Sequence, residues 1–226
     1  MGNKTKKFAV IVAGGVGKRM GSSIPKQFIP IGGLPILMHT LTAFYKSDHE
    51  MEIILVLPVS HFGEWTNLSV KYDFDVPHRI VAGGSTRYHS VKNGLLSIEE
   101  DGLVAIHDGV RPFVSTEIIE NSFIEANKSG NGVVSIPLKD TLRHLGKKGS
   151  KPLDRSEYRL VQTPQTFRIG EIKKAYEVEF SENITDDASV AEAAGQKINL
   201  IEGSYRNIKI TTEEDLVFAR AILSES

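Results

Sequence analysis

Cations packed into and around a glycine-rich turn are the residues of this chain best suited to chemistry. Gly14, Gly15 and Gly17 run directly into Lys18 and Arg19, and Pro25-Lys26-Gln27 closes the stretch. Glycine carries no Cβ, so such a turn can take positive φ and bring backbone N–H groups close to an anion. Lys18, Arg19 and Lys26 supply the countercharge, which makes a triphosphate the guest that fits. Two commoner phosphate loops are excluded by spelling. A P-loop needs a hydroxyl after Gly-Lys, where Arg19 stands, and a first glycine where Val12 stands; the dinucleotide fingerprint needs a glycine at Met20. Taken alone, the stretch also admits a plainer reading, a strand-to-helix turn with incidental surface lysines.

Further polar groups fall at the ends of apolar runs. Gly83-Gly84 turns a short strand ending at Val81 into a helix that contains Arg87, Ser90 and Val91, repeating the logic of the first loop. His107-Asp-Gly-Val-Arg-Pro112 follows the run Leu103 to Ile106. There Asp108 can accept hydroxyls and Arg111 can bind a phosphate by two parallel bonds; alternatively the two pair with each other. His107 reads as a packing residue at a strand end. Lys209 alternates with Ile208 and Ile210 and so points away from both on an extended segment.

The elements that must position these residues alternate in type. Strand-like runs at Phe8 to Ala13, Glu52 to Pro58 and Val133 to Leu138 are separated by amphipathic stretches, such as the helix opened by Leu34-Pro35 with Ile36, Leu37, Leu41 and Phe44 on one face. The pattern is that of an α/β protein with a largely parallel sheet. Residues 139–162 break it with alternating spacing about a Gly-Lys-Lys-Gly turn, which predicts a protruding hairpin arm. An arm that cannot bury its own apolar residues finds a partner, so a dimer is expected; a flexible surface insert is the other reading. Helices are expected at 169–180 and 186–194, the second capped by Thr185-Asp186-Asp187 rather than marked by a metal site. A strand at 198–202, a strand at 207–211 and a last helix from Thr212 complete the order.

Length and composition bound the rest. The chain has 226 residues, 27 basic and 28 acidic, with a formal net charge of −1. One domain over 1–226 is expected, and no global field advertises nucleic acid or an anionic membrane. Cysteine is absent, so disulfides, thiolate metal sites and a cysteine nucleophile are excluded. No export signal or membrane span is read, and a cytoplasmic location is expected. The 7 histidines have no metal-ligand spacing.

Taken in order, Ala13-Gly-Gly-Val-Gly-Lys-Arg-Met20, Pro25-Lys-Gln27, Gly83-Gly-Ser-Thr-Arg-Tyr-His-Ser90, His107-Asp-Gly-Val-Arg-Pro112, Asp140-Thr141, Thr163-Pro-Gln165 and Asn207-Ile-Lys-Ile-Thr211 resemble the 2-C-methyl-D-erythritol 4-phosphate cytidylyltransferases of non-mevalonate isoprenoid synthesis. The match spans nearly the whole chain. Ribitol 5-phosphate cytidylyltransferases of teichoic acid synthesis share most of these motifs. Leu153-Asp-Arg155 and Ile184-Thr-Asp-Asp-Ala-Ser189 look more like the methylerythritol enzymes, while Ser85 and Gly109-Val110 depart from their pattern.

The resemblance implies a Rossmann-like, mostly parallel but mixed sheet of nucleotidyltransferase type, flanked by helices, with the arm as a dimerisation element. It implies transfer of CMP from CTP to a polyol phosphate. Arg19, Lys26 and Lys209 would be catalytic, with Lys18 a phosphate contact or a solvated charge. Ala13, Gly14, Gly15, Gly17, Gly84 and Ser90 would hold the nucleotide. Asp108, Arg111, Thr141, Arg155 and Thr163 would hold the polyol phosphate, the arm's residues serving the neighbouring subunit of a homodimer. Magnesium is expected, held mainly by the CTP phosphates, with no protein ligand named. A non-catalytic nucleotide-binding protein is the alternative from another class, against which three convergent cations argue.

Overall fold

The computed structural model describes residues 5–14, 24–147, 149–181 and 183–225. Its elements in chain order are β1 (Lys7–Val12), β2 (Pro30–Ile31), β3 (Leu34–Pro35), α1 (Ile36–Ser47), β4 (Glu52–Leu57), α2 (Phe62–Lys71), β5 (Arg79–Ala82), α3 (Arg87–Leu96), β6 (Leu103–Asp108), α4 (Thr116–Ser129), β7 (Asn131–Pro137), β8 (Arg143–Gly146), β9 (Gly149–Pro152), β10 (Arg159–Arg168), α5 (Ile169–Ala175), α6 (Asp187–Ala193), β11 (Leu200–Glu202) and α7 (Glu213–Ser224). Helices α2 and α4 fill stretches left unassigned above.

A 7-stranded sheet in the order β11-β7-β10-β6-β1-β4-β5 carries the fold. β1 lies between β6 and β4, parallel to both, and β5 extends the parallel set beyond β4. Such strands are covered on both faces, which is why β1 and β4 read as continuous apolar runs. The period-2 alternation sorts their side chains. Ala9, Ile11, Ile53 and Leu55 pack with Leu37, Leu41, Trp65, Ile119 and Phe123 from α1, α2 and α4. Phe8, Val10, Ile54 and Val56 pack on the other face with Val91, Leu95, Ile172 and Val190 from α3, α5 and α6. β10 runs antiparallel to both β6 and β7, making the sheet mixed.

Three expected boundaries move. The free hairpin is β8–β9 alone, and residues 159–162 open β10, which is held between β6 and β7. The alternation that predicted a longer arm there belongs to a strand whose first residues pair with β7 alone, while β6 pairs only with 165–168, and Leu160 and Val161 are exposed. Helix α5 ends at Ala175, short of 180. Residues 207–211 form no strand; the Ile210 N–H donates to the Val110 carbonyl at 2.9 Å, while Ile210 joins a small third cluster with Val110 and Leu216 of α7.

Candidate active site

Three parallel strands stop at one cavity. β1 ends in Ala13-Gly14, β5 in Gly83-Gly84 and β6 in Asp108, and open α/β sheets bind ligands at such carboxyl ends. A cavity of about 220 Å³ lies there, lined by Gly14, Gly84, Ser90, Asp108, Lys26 and Lys209 among others.

The two glycine turns differ in why they are glycine. A Cβ on Gly84 would fall 2.4 Å from His89 Cβ and 2.9 Å from the His89 carbonyl carbon, so the close start of α3 forbids any side chain there. Among the described residues, a Cβ on Gly14 would meet only Ser90 Oγ, at 3.8 Å. The described residues leave that space open on the cavity side. Ser90 braces the second turn, accepting from the Gly84 N–H at 3.0 Å and donating to the Thr86 carbonyl at 2.9 Å. Thr86 caps α3 by accepting from the His89 N–H. Lys26 opens a single 3-10 turn whose next residues, Gln27 and Phe28, are buried. Phe28 stacks on Trp65 with ring centroids 6.1 Å apart, which anchors Lys26 at the cavity wall.

The floor is a charge cluster around Asp108. Lys209 Nζ lies 2.9 Å from its Oδ2, Arg87 Nε 3.2 Å from its Oδ1, and Arg111 Nε 3.5 Å from Oδ2. Burial alone would raise the Asp108 carboxyl. Arg87, Lys209 and Arg111 outweigh that penalty and hold it far below the usual carboxylate range. The Asp108 N–H donates to Thr163 Oγ1 at 3.1 Å. Thr163 sits where the register of β10 against β7 shifts, between Val161 and Gln165, and its peptide bond to Pro164 is cis. Asn207 Nδ2 donates to the Thr163 carbonyl at 2.9 Å, and the Asn207 carbonyl accepts from Arg111 Nη1 at 2.8 Å. These bonds hold the segment before Lys209 against the sheet without a strand.

His107 turns away from the cavity into the core. Its Nε2 lies 3.1 Å from the Arg111 carbonyl, which only accepts, so the ring proton is on Nε2. Its other face meets the Phe44 ring edge-on at 4.9 Å. Nδ1 is buried without a partner among the described residues. Burial pushes the ring down to about 3 against the raising pull of the Arg111 carbonyl.

Of the expected site residues, Ala13, Gly14, Lys26, Gly84, Ser90, Asp108 and Lys209 line this one cavity, with Arg111 and Thr163 immediately behind Asp108. Gly15, Gly17, Lys18 and Arg19 lie outside the described residues. Thr141 and Arg155 are exposed beside the hairpin; Arg155 Nη1 donates to the Lys139 carbonyl, and neither residue joins the cavity of its own chain. Sequence reasoning placed Arg87 on a helix but gave it no part in the site. A signal was present: an arginine at the first position of a helix opposes the helix dipole and so needs carboxylates elsewhere. It finds two, Asp108 and Asp187.

Comparison with known proteins follows the same residues. The family model of 2-C-methyl-D-erythritol 4-phosphate cytidylyltransferase matches residues 8–225. The enzyme of that name from Bacteroides fragilis is 53% identical over 215 residues, covering 95% of this chain and 98% of its own. The one from Porphyromonas gingivalis is 48% identical over 222 residues, covering 98% and 99%. Among solved structures, the 4-diphosphocytidyl-2C-methyl-D-erythritol synthase of Anaerococcus prevotii superposes with a TM-score of 0.84 at 32% identity, over 97% of this chain and 96% of that one. The Francisella tularensis 2-C-methyl-D-erythritol 4-phosphate cytidylyltransferase gives 0.78 at 32% identity, over 96% and 99%.

The buried, neutral His107 sets an acid limit. Its folded value of about 3 lies below the ordinary histidine value, so between that ordinary value and about 3 the unfolded chain binds the extra proton. Its stabilising share is complete above about pH 6.5 and is lost as pH falls through that window. Chemical denaturation followed across pH should show stability falling with acid. In His107→Gln the slope between about pH 6.5 and 4 should be shallower by up to about 1.4 kcal/mol per pH unit, although the variant is less stable at neutral pH.

Proposed function

The chain belongs to the 2-C-methyl-D-erythritol 4-phosphate cytidylyltransferase family, and from that premise we propose how its residues share the transfer of CMP from CTP to 2-C-methyl-D-erythritol 4-phosphate. The products are 4-diphosphocytidyl-2-C-methyl-D-erythritol and pyrophosphate. The observation that carries the division of labour is the cavity in which Gly14, Gly84, Lys26, Lys209 and Asp108 meet.

The acceptor's phosphate oxygen attacks the α-phosphorus of CTP, and the bond from that phosphorus to the β-phosphate's bridging oxygen breaks. A phosphate monoester has its second pKa near about 6, so the nucleophile is already anionic at neutral pH and needs no general base. His107, turned into the core, is not asked to be one. What the reaction requires is compensation of charge building on the α-phosphoryl oxygens and the leaving pyrophosphate. Lys26 and Lys209 supply it, joined by Arg19. Gly14, Gly84 and Ser90 hold the nucleotide, with Ala13 beside the base and Gly15, Gly17 and Lys18 on the phosphates.

Asp108 accepts the acceptor's hydroxyls, and Arg111 and Thr163 fix it in place. Lys209 is tied to Asp108 before substrate arrives. Hydroxyl groups that engage the carboxylate release the ammonium toward the α-phosphate, so arrival of the acceptor and provision of the catalytic charge are one event.

A divalent cation belongs to this reaction as a class. Among the described residues Asp108 is the one carboxylate lining the cavity, and both its oxygens are in ion pairs. Among the described residues no cluster of His, Cys, Asp or Glu has a metal-ligand arrangement. The side chains present therefore do not fit a protein-held magnesium; they fit one that travels on triphosphate oxygens and keeps its waters.

Both strands of the β8–β9 hairpin are exposed at every residue, with Leu145 81% exposed. Thr141 and Arg155 at its base lie outside the cavity of their own chain. Both facts support a homodimer in which the arm completes the partner's acceptor pocket.

Three measurements test these roles. Pyrophosphate release from CTP should require 2-C-methyl-D-erythritol 4-phosphate and a divalent cation, with Lys209→Ala lowering kcat about 10²- to 10³-fold while CTP binding changes little. Equal or faster turnover of ribitol 5-phosphate would reassign the acceptor. Gly14→Ala should keep its melting temperature yet raise the CTP KM about tenfold or more, because among the described residues the added methyl enters cavity space and meets only Ser90 Oγ at 3.8 Å. Replacing residues 143–152 by a short turn should shift sedimentation to a monomer with little activity; a fully active monomer would remove the arm from the site.

A further inference from the structure

Arg87 joins two carboxylates by two different edges of one guanidinium. Its Nη1 and Nη2 donate to Asp187 Oδ1 and Oδ2 at 2.9 and 2.7 Å, while its Nε donates to Asp108 Oδ1 at 3.2 Å. Asp187 is fully buried and also accepts from the Tyr176 hydroxyl at 2.6 Å. Its neighbour Asp186 caps α6 and accepts from Gln165 Nε2 at 2.9 Å, and Gln165 Oε1 accepts from the Ala188 N–H at 2.7 Å. Asp187 is thus pinned to β10 through the start of α6. Arg87 itself is the first residue of α3, directly after the Gly83-Gly84-Ser85-Thr86 turn.

We propose that Arg87 is a positioning residue for the transfer, oriented by Asp187, which sets the direction of the Asp108 carboxylate and ties it to the nucleotide turn. The inference rests on the reading of Asp108 as the acceptor's hydroxyl site. Asp108 has Oδ1 on Arg87 at 3.2 Å and Oδ2 on Lys209 at 2.9 Å, while Arg111 Nε stands farther from Oδ2, at 3.5 Å. Fixing Oδ1 from behind leaves Oδ2, on the Lys209 side, as the oxygen whose partner can be exchanged for a substrate hydroxyl. A planar fork is needed for this. The two Nη groups occupy Asp187 in parallel bonds, and that geometry aims Nε at Asp108. A lysine ammonium is a point charge, and no single orientation of it reproduces both contacts.

Asp187 also decides where the charge of Arg87 goes. Without a buried carboxylate behind it, the guanidinium would turn its fork onto Asp108 and take both oxygens, or swing into the cavity toward the triphosphate. Either outcome spoils acceptor binding before it spoils nucleotide binding. The fork also links the two half-sites mechanically, since the turn bearing Gly84 and the strand end bearing Asp108 share this one side chain.

Steady-state kinetics with both substrates varied would test the assignment in Arg87→Lys, Asp187→Asn and Tyr176→Phe, alongside thermal melting of each. The expected result is an acceptor KM raised about tenfold or more in Arg87→Lys and Asp187→Asn, with the CTP KM within about threefold of wild type. Tyr176→Phe, which keeps every charge, should give a smaller change of the same kind. KM does not depend on how much of a sample is folded, so a merely structural role would lower melting temperature and apparent kcat and leave both KM values unchanged. That outcome, or an equal rise in both KM values, would overturn the proposal. If Asp187→Asn does not fold, Arg87→Lys and Tyr176→Phe decide by the same split. A wild-type protein that fails to use the acceptor at all would instead sink the reading of the site itself.

Discussion

A carboxylate kept ionised under burial is the constraint on which the rest of the site depends. Asp108 loses most of its hydration at the end of β6, and that loss is tolerable because Arg87, Lys209 and Arg111 stand around it. Each cation arrives from a different part of the chain: the start of α3, the loop after β6, and the segment before α7. The sheet brings them together. β6 must sit centrally to deliver Asp108 beside the end of β1, and β10 must break its register so that Thr163 can receive the Asp108 N–H. Topology, the register shift and the charge cluster are therefore one arrangement seen at three scales.

The same cluster explains why some polar groups near the cavity do structural work. Arg111 is bound on one side by the Asn207 carbonyl and on the other by Asp108, while its own carbonyl fixes the tautomer of His107. A histidine next to an aspartate in sequence invites a catalytic dyad. Alternation along β6 separates them instead, sending Asp108 toward the cavity and His107 into the packing beneath α1. The neutral ring is the price of that burial.

Periodicity made much of this legible. The runs at β1 and β4 are long and unbroken because both strands are covered twice, and glycine pairs after β1 and β5 announce turns that must approach something closely. Gly14, Lys26 and Asp108, which line the cavity, stand out from their neighbours in sequence alone. Less legible was anything decided across the sheet. Residues 159–162 alternate as a hairpin strand would, and only pairing with β7 shows that they belong to the main sheet. Lys209 kept the orientation expected of it without the strand expected to provide it, because Ile208 and Ile210 pack with α7 and hydrogen bonds from Arg111 and Asn207 hold the backbone. Arg87 and Asp187 are separated by 100 positions, and no local spacing predicts such a pair.

The balance of charge around Asp108 bears on what the cavity can accept. Arg87, Lys209 and Arg111 face Asp108 and Asp187, which leaves the cluster one positive charge in excess, and Lys26 lines the same cavity. That excess suits two anionic substrates whose phosphates must approach each other in a confined space, where their repulsion opposes the reaction. A floor of unpaired cations would meet the same demand by binding phosphate indiscriminately. Interleaving carboxylates among the cations restrains them, so that Arg87 and Arg111 are committed to protein partners and Lys209 to an exchangeable one. On the proposed reading of Asp108 as the acceptor's hydroxyl site, selectivity for a phosphate that also carries hydroxyls follows from chemistry, since a hydroxyl can take Lys209's place on Asp108 and bare phosphate, itself an anion, cannot.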